Sequence, residues 1–294
     1  MCAESQLRPT AALDALVCGY APKWRAEKKF AIMNQGFCDD SMSGEGEKTL
    51  LLAGCVKQYP VWADFCFPWE AALAAEPSIR YFKMREARGL INEFAGWTAP
   101  MRDDKIRLLA KVIDVYQPNV IYAWISREEF DEIVKPIIPY MMRHPYIMLF
   151  HTLLIEVAKW QHAAGQHVPT DFVFDEQGPV GVDAVVWYSR FKSLQKPHIA
   201  ALLGSTPIFR DDKLFLPLQA ADMVAWHKRR CIDNPGELDS SSPAAVLVDL
   251  NYAEVHIDRN FLTALATEAA TLPGILSMRT KPKGYVREKS KKEK

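Results

Sequence analysis

The chain has 294 residues, 49% hydrophobic and 24% charged, an ordinary globular composition with ample apolar surface for a core. Lys+Arg and Asp+Glu each total 36, so there is no whole-chain basic bias toward nucleic acid. No stretch approaches the roughly 20 apolar residues that a membrane span needs, and no N-terminal run has the make-up of an export signal.

Residues 1–29 read as an N-terminal extension in which Ala11 to Val17 forms a short helix before Pro22. The first clear strand is Phe30 to Cys38, running into Asp39-Asp40-Ser41, and Gly44 and Gly46 mark a turn over 41–47. Thr49 to Val56 follows as the return strand of a hairpin. The Trp/Phe-rich stretch Trp62 to Ala75 is predicted helical, Ile79 to Met84 a third strand, and Glu86 to Phe94 a helix. Ile106, Leu109, Ala110 and Ile113 fall at helical spacing within Arg102 to Tyr116. Val120 to Ile125 reads as a buried strand, with Ser126 placed to cap the helix after it.

A long helix is predicted over Tyr146 to Ala164, then a strand over Asp171 to Phe174 and a helix over Val182 to Phe191. Thr206 to Phe209 and Lys213 to Leu216 read as short extended pieces around an Asp211-Asp212 turn. A helix from Leu218 to about Cys231 ends before Pro235-Gly236, and another lies near Phe261 to Ala269. A hairpin group followed by alternating strands and helices favours an α/β fold, a mixed central sheet with helices on its faces. With no internal repeat and no Gly/Ser/Pro-rich linker, residues 30–270 are expected to form a single domain.

The C-terminal segment 271–294 is expected to be a basic, disordered tail. Residues 279–294 alone hold eight Lys/Arg and two Glu, which leaves a body of 28 basic and 34 acidic residues. Such a tail has the charge to follow a phosphate backbone. The six cysteines are scattered, with no CxxC pair, and this predicts a reducing, cytoplasmic setting.

Three acidic positions fall where a strand stops or a helix opens: Asp39-Asp40, Asp175-Glu176 and Asp222. In open α/β sheets ligands collect beyond the carboxyl ends of strands. Mg²⁺ and Mn²⁺ take oxygen ligands, which a few carboxylates, waters and phosphate oxygens provide. Asp222 stands in the apolar run Leu218 to Ala225, where an ionised carboxylate is costly unless paired or metal-bound. The bland readings are turn and cap chemistry for Asp39-Asp40 and Asp175-Glu176, and a salt bridge to Lys228 or Arg229 for Asp222. His227-Lys228-Arg229-Arg230 offers cations for substrate phosphates or, equally, for the helix C-terminus. No phosphate-cradling GxxxxGK[ST], GxGxxG or GxSxG motif occurs, so NTPase, dehydrogenase and serine-hydrolase readings lack support.

CDDSMS after an apolar strand, FVFDE further on, and the closing PIFRDDKLFLPLQAADMVAWHKRR together resemble three landmarks of the bacterial domain-of-unknown-function family numbered 3800. The resemblance covers about residues 30–232, and Gln219-Ala220-Ala221-Asp222 is its most specific motif. It implies a ribonuclease-H-like fold and metal-dependent phosphodiester hydrolysis: a nuclease that uses Mg²⁺ or Mn²⁺ and meets nucleic acid through the phosphate backbone. It further implies Asp39, Asp175 and Asp222 as catalytic metal ligands, and Gln219 as the residue that orients a ligand or water. Asp40 stands where the family has Glu, one methylene shorter, as a fourth candidate ligand. Lys228, Arg229 and Arg230 are the candidate substrate contacts. Two other readings remain open: an inactive scaffold or binding protein of a mobile-element or defence system, and a glycosidase with paired carboxylates.

Overall fold

The computed structural model describes residues 8–18, 33–41, 48–139, 143–186, 188–235 and 242–271. The expected turn at 41–47 (beyond Ser41), the first residues of the predicted first strand and the basic tail lie outside the described residues.

Six strands form one mixed sheet: β1 (Asn34–Ser41), β2 (Thr49–Gln58), β3 (Asn119–Ser126), β4 (Thr170–Asp175), β5 (Ile208–Arg210) and β6 (Tyr252–Ile257), in the order β5-β4-β1-β2-β3-β6. β1, β2 and β3 pair antiparallel, while β4 lies parallel to β1, β5 to β4, and β6 to β3. Only β2 therefore runs against the rest, and the carboxyl ends of five strands share one edge of the sheet. The principal helices are α1 (Ala11–Cys18), α2 (Tyr59–Ala74), α3 (Met84–Gly89), α4 (Ala99–Tyr116), α5 (Pro145–Ala163), α6 (Pro179–Val186), α7 (Tyr188–Ser193), α8 (Leu216–Asp233) and α9 (Arg259–Thr271). No helix among the described residues is long and apolar enough to cross a membrane.

Alternation along the strands divides the core into two layers. Phe37, Leu51, Ala53, Cys55, Val120 and Val173 face α2, α4 and α8. Cys38, Leu50, Leu52, Ile121, Phe172 and Phe174 face α5, α6 and α9. Helices thus cover both faces, as expected for an α/β protein. Leu13 of α1 is buried in the first layer, so this piece of the N-terminal segment packs on the sheet.

The pairing that matters for function is β1 with β4. Gly36 lies opposite Phe172 in that ladder. A Cβ at Gly36 would stand 2.9 Å from the Phe172 ring, so the bare glycine lets the two strands close up around a large aromatic.

One expected strand is absent. Ile79 to Lys83 is irregular and leads directly into α3. The backbone N–H groups of Phe82 and Met84 are donated to side chains of α8, Gln219 Oε1 at 3.1 Å and Asp222 Oδ2 at 2.6 Å, instead of to a neighbouring strand. The apolar residues that suggested a strand, Ile79, Phe82 and Met84, are core anchors of this loop. The predicted helix Glu86 to Phe94 is also broken: Leu90 and Asn92 both have φ of 51°, which closes α3 and starts a separate turn at Asn92–Phe94. Lys213 to Leu216, read as extended, instead runs through the tight turn Asp212–Leu214 into the start of α8.

Candidate metal centre

Asp39 lies near the end of β1 and Asp175 ends β4. Cys38 and Phe174 are the last registered pair of the two parallel strands, so Asp39 and Asp175 are the next residues along. Their side chains fall on the α8 face of the sheet, in one row across the strands with Arg210, which pairs with Asp175. Because β4 lies directly beside β1, Asp175 stands next to Asp39 at this edge of the sheet.

The third member is Asp212, which opens the turn after β5. Asp211 caps this turn by accepting the Lys213 N–H at 3.0 Å, and Asp212 turns inward, where it is 1% exposed. The Asp212 N–H is donated to Asp175 Oδ1 at 3.2 Å, locking the turn onto β4. Oxygens of Asp39, Asp175 and Asp212 all lie within 4.8 Å of one another. An all-oxygen, anionic donor set of this size suits a hard divalent cation. Asp212 Oδ1 is buried with no hydrogen-bond donor, an expensive state for a carboxylate unless a cation satisfies it.

Among the described residues, Lys83 is the basic side chain paired with the cluster. Its Nζ stands 2.7 Å from Asp212 Oδ2 and 3.5 Å from Asp175 Oδ2. One ammonium does not balance the group. Burial, then the charge of Asp175, pushes the Asp212 carboxyl up to about 7 despite Lys83. Burial pushes Asp222 up to about 6, against the lowering effect of the Met84 N–H. Burial, then the charges of Asp175, Asp222 and Asp40, raises Asp39 well above the usual carboxylate range. The pocket is short of positive charge.

Asp222 and Gln219 stand one turn apart on α8, on the face toward this pocket. Asp222 interacts electrostatically with Asp39, Asp175 and Lys83, but its Oδ2 is engaged by the Met84 N–H, and it is not one of the three mutually close carboxylates. Gln219 is fully buried: Oε1 accepts from Trp69 Nε1 at 3.0 Å and from the Phe82 N–H, while Nε2 donates to the Asp212 carbonyl at 3.1 Å. It ties the loop carrying Lys83 to the turn carrying Asp212. Asp40, next to Asp39 on a strand, points to the opposite face and accepts from Gln177 Nε2. Glu176 is exposed beyond the end of β4.

The basic run lies farther along α8. Lys228 is buried with its Nζ 4.0 Å from the Tyr252 ring centroid, and Arg230 lies 5.9 Å from that of Trp226. Arg229 reaches back to β1, donating from Nε to Ser41 Oγ at 2.7 Å, two residues past Asp39, and pairing with Asp233 at 2.9 Å.

Sequence reasoning did not single out Asp212 or Lys83. The Asp211-Asp212 pair was read as ordinary turn chemistry, and Lys83 lay inside a supposed strand. A usable signal existed: of two adjacent aspartates in a tight turn only one is needed as its cap.

The chain is thus an α/β protein in which three buried carboxylates at the carboxyl edge of a mixed sheet are placed to hold a divalent ion. No family model matches the chain, and no curated protein or solved structure matches it.

Proposed function

We propose that this protein is a divalent-metal-dependent phosphodiester hydrolase, a nuclease, whose Asp39, Asp175 and Asp212 hold Mg²⁺ or Mn²⁺ with Asp222 at the margin. The observation that carries the reading is the buried, donorless Oδ1 of Asp212 within a trio of converging carboxylates. The resemblance of the strand-end motifs to family 3800 supplies the phosphodiester, and the mixed sheet with helices on both faces agrees with the ribonuclease-H-like architecture it implies. A pocket this acidic would repel a phosphate on its own, so a bound cation and an anionic substrate belong together. When bound, the cation supplies Lewis-acid polarisation and activation of water.

The chain's own residues set the stage. Lys83 pairs with Asp175 and Asp212, Gln219 fixes the turn that aims Asp212, and Asp222 anchors the segment that delivers Lys83. Arg210, in the row of Asp175, and Arg229, beside Ser41, flank the cluster as phosphate contacts. Nucleic acid is the partner in this reading, and the free thiols of Cys38, Cys55, Cys66 and Cys231 fit a reducing cytoplasm.

A second reading is favoured by Lys83 itself. An ammonium 2.7 Å from Asp212 can stand in for a metal, which would make the protein an inactive scaffold of the same fold. Thermal melting with Mn²⁺ against a chelator, alongside cleavage assays on single-stranded and duplex DNA and RNA, separates the two. A rise in melting temperature with metal-dependent cleavage that is lost in Asp212→Asn supports the hydrolase. A melting curve indifferent to Mn²⁺ supports the scaffold.

A further inference from the structure

A cavity of about 760 Å³ lies on the same sheet face as the carboxylates, under α1 and over β5, β4 and the start of β1. That volume is typical of small-molecule sites. Its walls are largely apolar, with Leu16, Met33, Val173 and Ile208 among them, and its far end holds one conspicuous polar group. Gln35 is only 2% exposed, and its Oε1 is buried with no hydrogen-bond partner. A buried carbonyl oxygen left without a donor is a cost to the folded protein that a ligand N–H would relieve.

The cavity is also a firm structure. Asp171 accepts from the N–H and hydroxyl of Ser205, and Lys192 donates to the carbonyls of Leu203 and Gly204, so the wall over 203–206 is fastened to β4 and α7. At the near end stands Arg210, the ladder partner of Asp175. Gln35 and Asp39 face the same side of β1 four residues apart, about 13 Å along the strand. One end of the cavity therefore offers an unsatisfied acceptor between apolar walls. The other offers a cation at the edge of the carboxylate cluster.

We infer that this cavity seats the nucleobase of a single nucleotide unit, its N–H donor on Gln35 Oε1 and its phosphate at Arg210 beside Asp39 and Asp175. The inference rests on the phosphodiesterase reading above and narrows its substrate to nucleotides engaged through the base. A phosphate ester without a base would leave Gln35 unpaired and the apolar walls wet.

The test is calorimetric titration of the full chain with AMP, CMP, GMP and UMP, with ribose 5-phosphate, and with adenosine, each with Mn²⁺ and with a chelator. The expected result is that at least one mononucleotide binds tenfold or more tighter than ribose 5-phosphate. Gln35→Leu should weaken that nucleotide about tenfold while leaving the Mn²⁺ shift in melting temperature unchanged. Ala15→Trp, placed on the exposed part of α1 that lines the cavity, should abolish nucleotide binding and guards against a Gln35 variant that fails to fold. Adenosine binding in chelator supports the cavity even if the metal reading fails. Equal binding of ribose 5-phosphate and every nucleotide, or nucleotide binding untouched by Ala15→Trp, with the Mn²⁺ shift intact, overturns the cavity assignment alone.

Discussion

Lys83 Nζ and Asp212 Oδ2 lie 2.7 Å apart inside the carboxylate cluster, joining the loop before α3 to the turn before α8. A cation entering the cluster must share these oxygens with the ammonium or displace it. Lys83→Met should therefore lower stability in chelator by about 3–5 kcal/mol, because it strands buried carboxylates. Mn²⁺ should restore most of the loss, giving a larger metal-dependent rise in melting temperature than the parent protein shows. Melting curves with and without Mn²⁺ check this, and a Lys83→Met protein that Mn²⁺ fails to rescue would contradict the metal reading.

Asp39→Asn should act in the opposite sense without metal. Asp39 accepts the Asp40 N–H through Oδ1, which an asparagine carbonyl can also do, while the repulsion from Asp175 and Asp222 disappears. Above pH 7 in chelator the variant should melt about 2–4 °C higher, equivalent to about 1 kcal/mol for a chain of this size. It should also lose the Mn²⁺ shift. Differential scanning calorimetry in the two buffers reads both effects.

Much of this geometry can be traced to strand-end chemistry, and the misses are equally physical. Asp39 and Asp175 were recognisable because each follows an apolar run that could only be a strand, and Asp222 because a lone carboxylate interrupts Leu218 to Ala225. Their adjacency was not recognisable, since it depends on β4 choosing β1 as its neighbour. Ile79 to Met84 had the apolar content of a strand, but its N–H groups were claimed by Gln219 and Asp222, distant residues that no local pattern reports. Asp212 was hidden for a related reason: the turn's identity is local, whereas its burial against Asp175 is tertiary.

Gln219→Leu should be costly whatever the activity. The change leaves the Trp69 indole N–H, the Phe82 N–H and the Asp212 carbonyl unpaired in a fully buried place. A loss of about 3–5 kcal/mol is expected, the scale of a broken buried polar network. Gln219→Glu, which retains the acceptor, should cost less at low pH than at high pH. Urea denaturation of the two variants across pH tests this, and a Gln219→Leu protein as stable as the parent would exclude the tethering role.

Acid stability carries a signature of His227. It is fully buried on α8 with both ring nitrogens unpartnered, and burial, then the charge of Lys228, pushes it down to about 4. A histidine held neutral in the folded state takes up its proton first in the unfolded chain. Its contribution is complete above about pH 6.5 and is lost as pH falls toward 4, by up to about 3 kcal/mol. The raised carboxyls of Asp212 and Asp222 slope the other way, since their folded forms keep protons to higher pH. The two effects separate by difference: His227→Leu should flatten the loss between pH 6.5 and 4 relative to the parent, in denaturation midpoints measured at half-unit steps.

The insertion of β4 beside β1 has a consequence for synthesis on the ribosome. β1, β2 and β3 emerge as a self-contained antiparallel trio, yet one flank of β1 stays bare until α5 and then β4 have left the exit tunnel. During that interval the nascent chain displays an unpaired strand rim next to Cys38, whose covering helix α5 is still missing at first, a surface on which neighbouring nascent chains can add strands of their own. Chains halted before residue 170 should therefore collect in insoluble material, while those extending past α8 should not.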